Sequence, residues 1–412
     1  MAAVPRARFT RRIRALGAGI LGRRSPSSQT PGMAPHGIAG PFEQRAQDAL
    51  HALPQGESPI LIAYTPLVRN NPYQAMLYSS CWERGIAAVP VDDLNDTGDL
   101  SRLAGPANVW LHVHWTSAVL GGATSQADAR RRLDRFQALL DRFTRARGQI
   151  AWTVHNVLPH ERRFHDLEVD VCRVLAERAD LIHVLHEKTV ALTEPYYQLP
   201  RDKVRVVPHA SYVGIYPNVI GRVQARYQLR VPPGALTFCF VGAMRRYKGI
   251  DRLIDGFSTV FRERGDVRLL LAGPGLSAAE VRRLSARTRA VPGIIARFER
   301  IPEWDLQVYF NAADVAVLPY EDVLNSGALM LAFTFGRPVI ASRRGLLTDM
   351  VTEDVGILFD PDEPAGLERA LRSADTLTDP RFALATRARA EQYAPRAMAD
   401  DFAALIRGWP KA

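Results

Sequence analysis

Cysteine is scarce. Cys81, Cys172 and Cys239 are the whole supply in 412 residues, far apart and with no paired spacing. Such a set builds neither a disulfide framework nor a cysteine zinc site, and it fits a reducing compartment. Long apolar runs are lacking as well. No stretch reaches the roughly 18 uninterrupted apolar residues of a membrane-spanning helix, so none is expected. Acids are missing from residues 1–42 altogether, where seven arginines stand: Arg6, Arg8, Arg11, Arg12, Arg14, Arg23 and Arg24. Of the formal net charge of +10, that segment supplies +7 and the other 370 residues about +3. The basic character belongs mainly to the leading segment. Cations interleaved with aromatics across a folded surface, the mark of a nucleic-acid partner, are absent from the pattern.

Within the leading segment Phe9, Ile13, Leu16, Ile20 and Leu21 recur at roughly helical spacing. A short basic helix lying on an anionic membrane surface has this pattern. The alternative is a disordered leader, with Met33 as the working start. A continuous apolar region and a cleavage site are missing, so a secretory signal is not expected. Gly17, Gly19 and Gly22 spell G-x-G-x-x-G. The strand–turn–helix setting of a dinucleotide site is missing around them, and no cofactor is expected.

From residue 59 onward short apolar runs alternate with longer amphipathic stretches. Strands are predicted at 59–65, 86–91, 109–114, 150–154 and 181–185, with helices at 72–84, 126–147, 162–179 and 187–197. Residues 200–235 hold five prolines and read as a connection. A second series follows, with strands at 236–241, 267–272, 294–298, 314–318, 338–341 and 356–359. Helices at 249–263, 277–289, 303–312, 326–335 and 363–374 separate them. Apolar strands alternating with helices imply parallel sheets covered on both faces. Two such series make an α/β protein of two doubly wound, Rossmann-like domains facing a cleft. The divisions expected are a basic tail 1–45, a first domain 46–207, a connection 208–235, a second domain 236–392 and a final helix 393–412 returning to the first.

Ligands in open α/β sheets bind beyond the carboxyl ends of the strands, so the turns there are the places to look. In the second domain Gly242 leaves a strand and Arg245 and Lys248 follow it, cations that suit a diphosphate near a helix start. After strand 314–318 come Glu321, Asn325, Ser326 and Gly327. Asn325 or Ser326 is a good N-cap, the free amides beyond it would point into the cleft, and Glu321 could accept sugar or ribose hydroxyls. Gly273 ends a third strand in a tight turn where a base could rest. In the first domain Asn70, Asn71 and Tyr73 follow strand 59–65 and suit hydroxyl recognition, Asn71 equally as the cap before Pro72. His112 and His114 share a strand face by period two, but zinc needs three or more ligands and no third partner stands out. His155 follows strand 150–154, where an imidazole can bind a hydroxyl or exchange a proton near neutral pH, and His114 is the next acid–base candidate. The stretch 126–147 carries seven arginines opposite Leu133, Phe136, Leu139, Leu140 and Phe143. That face suits anionic lipid headgroups or a lipid-linked diphosphate, or is simply solvated.

FVGAMRRYKGIDRLIDGF, LLLAGPG, AADVAVLPYED, FGRPVIAS and GILFDPDEP, in that order and spacing, resemble the nucleotide-sugar domain of family-4-type GT-B glycosyltransferases. VVPHASYVGIYP is similar to that family's interdomain connection. The likeness runs over about 150–407, with the fold extending across 59–149. It implies a GT-B fold and transfer of a hexosyl group from a nucleotide diphosphate sugar. Lys248 would pair with the donor diphosphate, and a histidine at the position of His155 would lie close to the sugar. The family usually has an arginine where Ala243 stands, a place Arg245 could fill. It also has a glutamate for the donor ribose where Leu331 stands. Asn71-Pro72-Tyr73-Gln74 is similar to bacterial exopolysaccharide β-mannosyltransferases, which points to GDP-mannose and inversion; a UDP-sugar is the other donor considered.

The resemblance implies a saccharide or polyprenyl-diphosphate-linked glycan as acceptor, in polysaccharide or glycolipid synthesis on the cytoplasmic face of a membrane. Neither a metal nor a nucleic acid is called for. Two other readings stay open: a nucleotide-sugar epimerase of the same fold, and a non-catalytic subunit that binds sugar nucleotides.

Overall fold

The computed structural model describes residues 42–56, 58–91, 108–159 and 163–410. The basic segment with its amphipathic spacing lies outside the described residues, apart from its last position, Phe42.

Two parallel sheets of six strands organise the described chain. The first contains β1 (Ile60–Thr65), β2 (Ile86–Pro90), β3 (Asn108–Val113), β4 (Gln149–Val154), β5 (Leu181–Val184) and β6 (Val204–Val206), in the order β2-β1-β3-β4-β5-β6. The second contains β7 (Leu236–Val241), β8 (Val267–Ala272), β9 (Ile294–Arg297), β10 (Val315–Leu318), β11 (Val339–Ser342) and β12 (Gly356–Phe359), in the order β12-β11-β10-β7-β8-β9. Every residue of β1, β4 and β7 is buried, as helices on both faces of a parallel sheet require. These are the two doubly wound domains expected from the alternating runs. Strand order reverses between β1 and β3 in one sheet and between β7 and β10 in the other. At such switch points neighbouring loops part and leave a crevice.

Several elements depart from the sequence pattern. Instead of one helix over 72–84 there is a short helix Tyr73–Leu77 and a turn Trp82–Arg84. Ser79 Oγ donates to the Met76 carbonyl at 2.8 Å, an alternative partner for the backbone that weakens the helix there. The stretch 187–197 is helical only over Thr189–Thr193, where β-branched residues are poor formers and Pro195 has no N–H to continue the ladder. Within the proline-rich connection, β6 and a helix Arg222–Leu229 form, the latter in the proline-free interval between Pro217 and Pro232. A helix Phe42–His51 precedes β1, with Phe42 and Ala46 buried.

That connecting helix is fastened to the second domain by a buried ion pair. Arg226 meets Asp314 at 2.8 Å and also donates to the carbonyls of Ala312, Pro232 and Pro233. The last helix, Pro395–Gly408, lies instead against the first sheet. Arg396 forks onto Glu83 at 2.9 and 2.5 Å, and Phe402 stacks on His112 at 5.2 Å. Burying that phenyl ring contributes roughly 2 kcal/mol. The chain therefore crosses between the domains twice, and Ser211 N donates to the Tyr393 carbonyl at 2.7 Å where the crossings meet. Among the described residues no helix is long and apolar enough to cross a membrane.

Candidate active site

A cleft of about 670 Å³ opens where the two switch points face each other. From the second domain Arg245, Tyr247, Lys248, Tyr320, Asn325, Ser326 and Gly327 line it. Trp115, Thr116, Asn156, Arg163 and Glu168 line it from the first.

The turn after β7 is shaped by close backbone contact. Gly273, at φ +143°, crosses Gly242 so tightly that a Cβ on it would fall 2.0 Å from the Gly242 carbonyl oxygen. Only glycine fits there, and the packing sets the path of the chain towards Lys248. The Lys248 ammonium lies 5.8 Å from the Phe240 ring centroid and 5.7 Å from that of Tyr320. Burial, helped by the nearby Arg245 charge, brings its pKa down to about 8. Among the described residues it has no carboxylate partner. A half-buried cation walled by aromatic rings and lacking a counter-charge is suited to an incoming anion.

The second anion-seeking element is the start of the helix Gly327–Thr334. Ser326 Oγ accepts from Leu329 N at 3.1 Å, a regular cap. The amides of Gly327 and Ala328 then have no acceptor among the described residues, and both residues line the cleft. A Cβ on Gly327 would stand 2.7 Å from the Tyr212 hydroxyl, so a side chain there would displace the connection from this helix.

Asn325 spans the domains: its Nδ2 donates to the His155 carbonyl oxygen at 3.0 Å. Glu321 has its amide on the Tyr247 carbonyl, while its side chain is exposed and off the cleft wall. Leu331 and Ala243 keep those positions apolar, and neither lines the cleft.

On the first domain, Asn70 is exposed and its Oδ1 accepts from Arg300 Nη1 at 2.5 Å across the domain boundary. Asn71 Oδ1 accepts from Tyr73 N at 3.0 Å, which is a capping bond. Tyr73 is 1% exposed, its ring edge-on to His155 at 4.8 Å and beside His209 at 5.2 Å. His155 is half-buried and does not itself line the cleft; Trp115 lies parallel on its ring at 4.2 Å and forms the wall. His114 is 1% exposed and sits behind, its Nδ1 3.0 Å from His155 Nε2. Burial, reinforced by neighbouring histidines, holds the pKa values of both well below 6.5.

Sequence reasoning did not find Trp115, Tyr247, Tyr320 or Arg163. Trp115 directly follows His114 and Tyr320 directly precedes Glu321, so post-strand position is the available signal.

Residues 235–374, from β7 through the helix Gly366–Arg372, match the family described as Glycosyl transferases group 1. Over those residues the second domain resembles a group 1 glycosyltransferase domain. Among characterised proteins, the D-inositol 3-phosphate glycosyltransferase of Corynebacterium urealyticum is 26% identical over 247 residues, 58% of this chain and 55% of that one. The chain spans about half the length of the curated relatives it matches. HepE of Anabaena in complex with UDP has a TM-score of 0.63 at 16% identity, covering 85% of this chain and 100% of that one. Sucrose-phosphate synthase of Thermosynechococcus elongatus gives 0.61 at 18%, covering 85% and 98%. At these identities the likeness is one of fold, and the fold is GT-B.

Proposed function

We propose that this protein is a glycosyltransferase that moves a hexosyl group from a nucleotide diphosphate sugar to a saccharide or lipid-linked glycan. The observation that carries this reading is the pairing, on one cleft wall, of the uncountered Lys248 ammonium with the open amides of Gly327 and Ala328. A diphosphate leaving group develops charge as the glycosidic bond breaks. Donors fixed beforehand, in a site screened from water, stabilise that charge without reorganising. Arg245 adds a second cation on the same wall.

The acceptor would enter against the first domain, between Trp115 and Asn156, with His155 behind Trp115. A neutral imidazole can accept a hydrogen bond from a sugar hydroxyl, and an inverting route would use such a group as base. UDP-bound HepE supports a UDP-sugar, and the Asn71–Gln74 stretch supports GDP-mannose. The arginine face of the helix Gln126–Arg145 supports an anionic surface or lipid diphosphate on the acceptor side: Arg135, Arg142 and Arg145 are exposed and have no acidic partner among the described residues.

The test is nucleotide release by the full chain, with UDP-glucose, UDP-N-acetylglucosamine and GDP-mannose in turn, with and without a polyprenyl-linked acceptor. Release that depends on acceptor supports transfer. Isomerised sugar nucleotide without acceptor would mean an epimerase, and tight binding without turnover a binding subunit.

A further inference from the structure

Seven polar groups behind the cleft form one unbranched line. His155 Nε2 lies 3.0 Å from His114 Nδ1, and His114 Nε2 lies 2.7 Å from the Tyr78 hydroxyl. That hydroxyl is also 2.7 Å from His112 Nδ1, and His112 Nε2 is 2.7 Å from Thr153 Oγ1. Thr153 Oγ1 is 3.0 Å from His183 Nδ1, whose Nε2 is 2.9 Å from the Val207 carbonyl oxygen. His112, Thr153 and His183 come from β3, β4 and β5, His114 and His155 directly follow β3 and β4, Tyr78 stands beside the short helix Tyr73–Leu77, and Val207 follows β6. Strand register makes the line: Thr153 stands directly beside His183, and His112 opposite Ala151, two residues back on the same face. His112, Thr153 and His183 are 0% exposed, His114 is 1%, and Phe402 roofs His112 at 5.2 Å.

The far end decides every proton. A carbonyl oxygen only accepts, so His183 carries its hydrogen on Nε2, and its Nδ1 must accept from the Thr153 hydroxyl. Thr153 has then given its one hydrogen, so it accepts from His112 Nε2–H, and His112 Nδ1 accepts from the Tyr78 hydroxyl. Tyr78 in turn accepts from His114 Nε2–H, and His114 Nδ1 accepts from His155 Nε2–H. Any second hydrogen inside the line would set two donors against each other in a site where an unmatched polar contact is costly. The line ends on a carbonyl and exports no proton.

We infer that this line, with His114, Tyr78, His112, Thr153 and His183 as positioning residues, locks His155 as the Nε2–H tautomer and keeps its Nδ1 bare to accept a substrate hydroxyl. Nδ1 of His155 has no partner among the described residues. The link to a hydroxyl rests on the glycosyltransferase reading; the tautomer does not. It follows that the polarity of an atom just behind the Trp115 wall of the cleft is set by a backbone carbonyl three strand-borne side chains, one further histidine and one phenol away.

Two-bond nitrogen–proton correlation spectra of the full chain labelled with ¹⁵N-histidine test it directly. At pH 7.5 His155 should show a bare, pyridine-like Nδ1 and a protonated Nε2. Tyr78→Phe removes a donor and an acceptor at once and should give His155 a mixture of tautomers, with kcat falling about tenfold and donor KM within about twofold. Thr153→Ser keeps the hydroxyl and should retain the wild-type spectrum, whereas Thr153→Val should not. This pair decides the matter if Tyr78→Phe does not fold. A wild-type His155 protonated on Nδ1, or one whose tautomer is unmoved in folded Tyr78→Phe or Thr153→Val, overturns the inference. The expected spectra together with no transfer from any donor would uphold the lock and remove the function built on it.

Discussion

Asn325 and His155 join the two domains side chain to backbone, Nδ2 donating to the carbonyl oxygen at 3.0 Å. The bond ties the loop after β10 to the loop after β4, so each domain helps set the other's reactive turn. Asn325→Ala should cost about 1 kcal/mol at most, a normal net value for one hydrogen bond. Asn325→Asp keeps the shape but sets a carboxylate against a carbonyl, and should lower transfer further than alanine does. Turnover and melting of the three proteins check this; an aspartate variant as active as wild type would show that the bond does nothing in solution.

Lys248→Ala should lower transfer more than tenfold, because a charged partner of the diphosphate is lost. A lysine with pKa about 8 is a cation below that pH and loses its charge as pH rises through it. Nucleoside diphosphate affinity should therefore fall between about pH 7 and pH 9 in the native protein, and fall less in Lys248→Ala. Binding should also take up a proton near pH 8, since an anion raises the lysine pKa. Calorimetry in two buffers of different ionisation heat measures that uptake.

His112, His114 and His183 are buried with pKa values below 6.5, His183 at about 4, burial being the main cause. An unfolded chain protonates these rings near pH 6.5, whereas the folded one resists. Their contribution is thus whole above that pH and is lost as pH falls below it, for His183 on the way down to about 4. With about 1.4 kcal/mol per proton per pH unit, three rings give a slope near 4 kcal/mol per unit around pH 5. Urea midpoints at pH 7.5, 6 and 5 should drop steeply; a flat series would mean the rings are not buried and neutral.

Removing residues 1–32 should leave the melting temperature unchanged and weaken binding to vesicles of anionic lipid, with added salt weakening what remains. Sedimentation with phosphatidylserine vesicles at low salt is the assay. Full-length protein that ignores such vesicles would leave the arginines without a membrane role.

Much of the architecture was legible because apolar runs such as LTFCFV and VRLLLA announce strands buried on both faces. β6 was not, since Val204–Val206 is three residues long and largely open on the sheet edge. Lys248 and Ser326 could be picked out because both follow strands whose ends are fixed by pattern. The histidine line could not. That His112, Thr153 and His183 touch depends on inter-strand register, and Tyr78 arrives from 34 residues before His112. Period two places His112 and His114 on one face, but no periodicity says which neighbour that face meets.

One swivel joint leaves three rotations free; two hinges on one door leave one. Ser211 and Tyr393, laced where the chain passes between the domains, make this protein the second kind. With both crossings gathered at one edge, the domains would part most at the edge away from them. The pocket of about 330 Å³ bounded by Pro208, His209 and Tyr393 sits beside these crossings, with walls from both domains. The proposed sugar nucleotide would then enter at the edge away from the crossings.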